Sequence, residues 1–169
     1  LASALARAGA DVELVTSRFR FGTRPAPEGY PVRELFYPVS SGIRHRPLRL
    51  ALRALEHPVG MARLLRSHRD VLHLQWLAAP ELDSVLLRSR APLVFTAHDL
   101  LPRRTAGRGR MWRSLFARFD RIVVHSERGR SALERFGVDP DALRVIPHPV
   151  FRSEPGRQDD GATVLALGV

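Results

Sequence analysis

The chain has 169 residues, enough for one ordinary domain with a sizeable core. It contains no cysteine, which excludes disulfides and thiolate metal sites. All 27 basic residues are arginine, and the net charge of +10 favours anionic partners such as sugar nucleotides, lipid phosphates, an anionic membrane or nucleic acid, although a solvated basic surface has the same composition.

In chain order, residues 1–8 read as a helix closed by Gly9 and residues 12–16 as a strand. A loop rich in glycine and proline occupies 19–30, and a second strand 32–37. The stretch 47–67 is helical but interrupted at Pro58, which suits the first position of a second helix. Strands follow at 71–75, 93–97, 121–125 and 144–146. Between them lie helices at 80–89, 111–119 and 127–136, the last ended by Gly137. Trp112, Leu115, Phe116 and Phe119 share one apolar face. Strands alternating with helices mean a parallel sheet, so the fold class is α/β, Rossmann-like, with helices on both faces. No apolar run reaches the ~20 residues that span a bilayer. The start, inside a helical pattern and without an initiator methionine, and the strand-like end Thr163-Val-Leu-Ala-Leu-Gly-Val169 read as cuts in a longer protein.

Three ordered segments carry the functional signal: Pro92-Leu-Val-Phe-Thr-Ala-His98-Asp99, then Asp120-Arg-Ile-Val-Val-His-Ser-Glu127, then Arg144-Val-Ile-Pro-His-Pro-Val150. In open α/β sheets ligands bind beyond the carboxyl ends of strands, where His98 can offer a hydrogen bond or a proton. This ordered set resembles the amino-terminal, acceptor-side domain of GT-B fold glycosyltransferases of family 4 (group 1). Those proteins carry a Thr-x-His-Asp type strand end, a Val-x-Ser-Glu type turn and a Val-Ile-Pro segment leading into a second domain. Leu5-Ala-Arg-Ala-Gly-Ala-Asp-Val-Glu-Leu-Val-Thr16 is similar to the family's first helix and second strand.

The resemblance implies a division into an acceptor-side domain at 1–150 lacking its first strand, a linker at 151–161, and the first strand of a donor-binding domain at 162–169. With strand order 3-2-1-4-5-6, loss of the first, central strand leaves two edges unpaired. The implied reaction is retaining transfer of a sugar (a hexosyl group) from a nucleotide-sugar to an acceptor hydroxyl, in cell-surface glycan or glycolipid synthesis. The nucleotide-sugar is the co-substrate and no metal cofactor is expected. The fragment alone is expected to be inactive. The implied location is cytoplasmic, with peripheral contact at the inner face of the plasma membrane.

By the same resemblance His98 is the catalytic candidate, beside the transferred sugar. Asp99 would orient it or cap the loop. Gln75 and Trp76, ending Val71-Leu-His-Leu-Gln-Trp76, suit acceptor binding, although a core tryptophan is the favoured placement. His73, alternating with leucines, is expected to be structural. Arg103 and Arg104, with Arg108 and Arg110, form a basic loop fit for an anionic acceptor or simply for solvent. Ser126 caps a helix whose amino terminus, with Glu127, could meet a phosphate. His125 is expected to face the sheet rather than a ligand. His148 lies at the domain connection, structural or at the cleft rim, and Gly168 at the start of the donor loop. The seven histidines show neither i,i+4 spacing nor a carboxylate cluster, so no metal is expected.

The segment Arg46-Pro-Leu-Arg-Leu-Ala-Leu-Arg-Ala-Leu-Glu56 is amphipathic. Leu48, Ala51, Leu52 and Leu55 are expected to pack on the sheet, with an anionic membrane surface as the alternative. Two rival readings remain: a GT-B relative acting as a sugar-nucleotide epimerase, and a basic nucleic-acid-binding module. The second lacks helix-turn-helix, zinc and RNA motifs, so no nucleic-acid partner is expected.

Overall fold

A computed structural model describes residues 1–18, 26–100, 105 and 107–148. The expected linker 151–161 and strand 162–169, and the site candidates Arg103, Arg104 and Gly168, lie outside the described residues.

The described elements are α1 (Ala2–Arg7), β1 (Leu14–Ser17), β2 (Val32–Phe36), α2 (Arg46–Arg66), β3 (Leu72–Leu74), α3 (Pro80–Leu86), β4 (Leu93–Thr96), α4 (Gly109–Phe116), β5 (Arg121–Val124), α5 (Glu127–Phe136) and β6 (Leu143–Val145). Short 3-10 turns occupy Ser40–Gly42 and Pro140–Ala142. All pairings are parallel: β1 with β2, and β3-β4-β5-β6 as a four-stranded sheet. This is the Rossmann-like α/β architecture expected from the alternating pattern.

The core is built on β4 and β5. Phe95 stacks on Phe119 at 5.1 Å between ring centres, and the α4 face of Trp112, Leu115 and Phe116 is buried with it. Trp112, 1% exposed, donates Nε1 to the Thr105 carbonyl at 3.1 Å and so pins the end of the basic loop. Register aligns Leu72 with Leu93, Phe95 with Ile122 and Ile122 with Leu143, so one face of the sheet is a continuous apolar layer.

Among the described residues the two sheets do not join, and β1 and β3 each pair on one side only, where the expected strand order puts a central strand. Glu13, just before β1, bridges the start of both parts, pairing with Arg33 of β2 at 3.0 Å and with Arg69 ahead of β3.

Two expectations about α2 are corrected. It is one helix through Pro58, not two. The bond that proline removes would fall on the carbonyl of Ala54, an exposed position open to solvent. The helix is anchored instead by His57, Gly60 and Met61. A Cβ on Gly60 would lie 2.5 Å from the Phe36 ring, so only glycine admits that ring. Second, the leucines do not pack on the sheet. Leu48, Leu50, Leu55 and Val59 are exposed, Leu55 at 70%. With Leu52, the residues Leu48, Leu55 and Val59 form a stripe opposite the buried face.

A buried polar chain ties β2, α2 and α3 together. Tyr37, in the left-handed region at φ 56°, donates its hydroxyl to Nδ1 of His57 at 2.8 Å. Nε2 of His57 donates to Asp83 at 2.6 Å, and Asp83 accepts from the amide of Ala79. This chain holds the segment between β3 and α3 in place.

Candidate functional site

In a parallel sheet all carboxyl ends share one edge. Here β3, β4, β5 and β6 end at residues 74, 96, 124 and 145, and the next few residues converge. Gln75 and Trp76 follow β3, His98 follows β4, His125 follows β5 and His148 follows β6.

His98 is the hub. Its ring stacks on Trp76 at 5.0 Å and 15°. Its Nε2 donates to Oε1 of Gln75 at 3.0 Å. The Gln75 amide nitrogen in turn lies 3.0 Å from Nε2 of His73, which also meets the Thr96 hydroxyl at 2.8 Å. With the amide oxygen toward His98, the proton of that imidazole sits on Nε2, leaving Nδ1 as the acceptor. Desolvation first, then the neighbouring His125 and His148 rings, hold the His98 pKa below the ordinary histidine value, against the opposing charge of Asp99. These surroundings favour the neutral ring over the charged one. Desolvation and then His98 likewise lower His73.

Trp76 is 68% exposed, so the expectation of a core tryptophan is corrected. The strand ends before it, and its ring finds a partner in the His98 imidazole instead of the core. His73 is also more than structural filling: it faces away from buried Leu72 and orients Gln75.

His125 was expected to face the sheet. It packs instead against His148 at 3.7 Å and lies 5.2 Å from His98. Its Nδ1 donates to the carbonyl of Ile146 at 2.8 Å. The ligand nitrogens of His98, His125 and His148 lie within 4.8 Å of one another. The expectation of no metal rested on spacing along one element, but these histidines come from three strand ends, so three imidazoles able to hold an ion meet here.

Ser126 caps α5, its hydroxyl accepting from the Gly129 amide at 3.1 Å. Glu127 and Asp99 are exposed. Along the same edge, a groove of about 640 Å³ runs between α3 and α4, lined by Glu81, Arg108, Arg110 and Arg113. Arg108 pairs with Glu81 at 3.2 Å.

Fold and site together define a Rossmann-like domain with a polar, aromatic-walled ligand edge. The model of Glycosyltransferase Family 4 matches residues 1–153, and the chain belongs to that family of glycosyltransferases. A search of curated proteins finds no match to the chain.

Proposed function

We propose that this chain forms the acceptor side of a retaining, hexosyl-transferring glycosyltransferase that uses a nucleotide-sugar and builds a cell-surface glycan or glycolipid. The bond from the anomeric carbon to the donor phosphate oxygen breaks. The acceptor oxygen bonds to that carbon on the same face, and its proton passes to the departing phosphate. Catalysis comes from positioning and from stabilising the leaving diphosphate, without a metal cofactor. His98 is the catalytic residue, with Nδ1 toward the sugar. Gln75 sets its tautomer and Trp76 offers a ring face to a sugar. Ser126, Glu127, Asp99 and His148 line the same edge. The groove carrying Arg108 and Arg110, with Arg103 and Arg104 nearby in sequence, suits an anionic acceptor such as a lipid-linked diphosphate. The observation that carries this reading is His98, stacked on Trp76 and hydrogen-bonded to Gln75 at the strand edge of a family 4 domain.

The exposed Leu48–Leu55–Val59 stripe, flanked by Arg49, Arg53 and Arg63, supports peripheral attachment to an anionic membrane. Among the described residues no helix is long and apolar enough to cross a membrane. The inner face of the plasma membrane is the location this reading favours.

The experiment is turnover of a panel of nucleotide-sugars with glycan and lipid-diphosphate acceptors, by the chain joined to a donor-binding domain, with the product's anomeric configuration read by NMR. Transfer with retention is expected. A C2-epimerised sugar nucleotide with no acceptor product would favour the epimerase instead.

A further inference from the structure

We propose that His98, His125 and His148 form a binding site for one divalent transition-metal ion, with zinc the best fit. Binding of the ion does not depend on the transfer chemistry; its effect on transfer rests on the His98 role proposed above. Three observations carry it.

First, the geometry is close. The three ligand nitrogens already lie within 4.8 Å of one another. Around a tetrahedral zinc, with Zn–N of ~2.0–2.1 Å, they would lie about 3.3 Å apart. The closing movement is small. His98 and His148 are exposed and can turn, His148 out of its stack on His125.

Second, His125 is prepared as a ligand. Metal-bound histidines usually donate their second ring nitrogen to a carbonyl or carboxylate, which fixes the tautomer. His125 does this through Nδ1 to the Ile146 carbonyl at 2.8 Å. Its Nε2, buried and without a hydrogen-bond partner among the described residues, keeps its lone pair. An unpartnered buried nitrogen is costly, and an ion at the cluster would satisfy it.

Third, His98 is prepared in the same way. Nε2 donates to Gln75, so Nδ1 keeps the lone pair a metal needs. Gln75 is itself held by His73. Two of three imidazoles thus carry an outer hydrogen bond that orients them. Neutral imidazole selects zinc, copper, nickel or cobalt over magnesium or calcium, which prefer oxygen. Three protein ligands leave a fourth position to solvent. An ion there would occupy the His98 nitrogen that a sugar needs, so the site would act as an inhibitory switch on transfer.

The test is titration of the metal-stripped chain with Co²⁺ alone, then displacement by Zn²⁺, followed by visible absorption. One ion per chain with intense tetrahedral bands is expected, together with a rise in melting temperature. His125→Ala and His148→Ala should each weaken binding at least tenfold, and Gln75→Leu by about 10–100-fold, because it orients His98. His68→Ala, an exposed histidine outside the cluster, should bind as wild type. Circular dichroism checks each fold, and His148→Gln, at an exposed position, replaces any variant that unfolds. Absence of tetrahedral bands, or binding that survives both His125→Ala and His148→Gln, would overturn the site.

Discussion

At the residue scale, several side chains have measurable work outside the ligand edge. Asp83 is buried and pairs with His57, so Asp83→Ala should cost about 3–5 kcal/mol by stranding a buried polar chain, read by chemical denaturation. Glu56 gives a pH test. Desolvation raises its pKa, but hydrogen bonds from Ser40 and Val39 and the charge of Arg53 outweigh it, so the folded value lies below the ordinary one. A depressed carboxylate contributes stability that is present above its unfolded pKa and lost as pH falls through the folded value. The stability loss of Glu56→Gln should therefore be about 1 kcal/mol at pH 7, discounted for its partial exposure, and should vanish once the pH falls below the folded pKa. A loss that stays constant down to that pH would count against this account. The placement of His98, Gln75, Ser126 and His148 after strand ends was legible in the sequence, because a strand end followed by a polar residue is a local signal. The exposure of Trp76 was not, since a tryptophan after an apolar strand reads equally as core. Nor was the partnership of His98, His125 and His148, which lie 27 and 23 residues apart in sequence and meet only through parallel register.

At the element scale, the strands and helices were readable from alternation and punctuation, and their ends moved by up to three residues. α5 shows why: Ser126 caps it and Gly137, at φ 98°, closes it in the left-handed region. Ser126→Ala should cost about 1 kcal/mol, seen as a lower melting temperature. α2 shows where the reading fails. A leucine stripe at helical spacing does not say which of two faces meets the core; here buried His57 and Met61, with Gly60 against Phe36, take that place. The outward stripe predicts that the chain sediments with anionic vesicles and that salt weakens the association. A Leu48→Asp, Leu55→Asp double variant should lose most of it without unfolding, because both sites are exposed. Equal sedimentation with neutral vesicles would remove the membrane from the account.

At the scale of the whole molecule, the two sheets leave β1 and β3 each with an edge unpaired among the described residues. Such edges invite intermolecular pairing. The 169-residue chain should therefore self-associate, and an apolar strand joined ahead of Leu1 should make it monomeric in analytical ultracentrifugation. A soluble monomer with a cooperative melt and no added strand would show that the edges are covered in another way. The carboxyl edge of the four-stranded sheet brings His98, after β4, together with Gln75 and Trp76, after β3, on one surface, as the proposed function requires. The central claim is that this edge positions the transferred sugar through His98. It is tested most directly by steady-state sugar transfer with the chain joined to a donor-binding domain, wild type against His98→Ala. The account predicts a fall in kcat of about 10²–10³-fold, or ~2.7–4 kcal/mol, with the fold intact and KM changed far less. Wild-type turnover in that variant would contradict it.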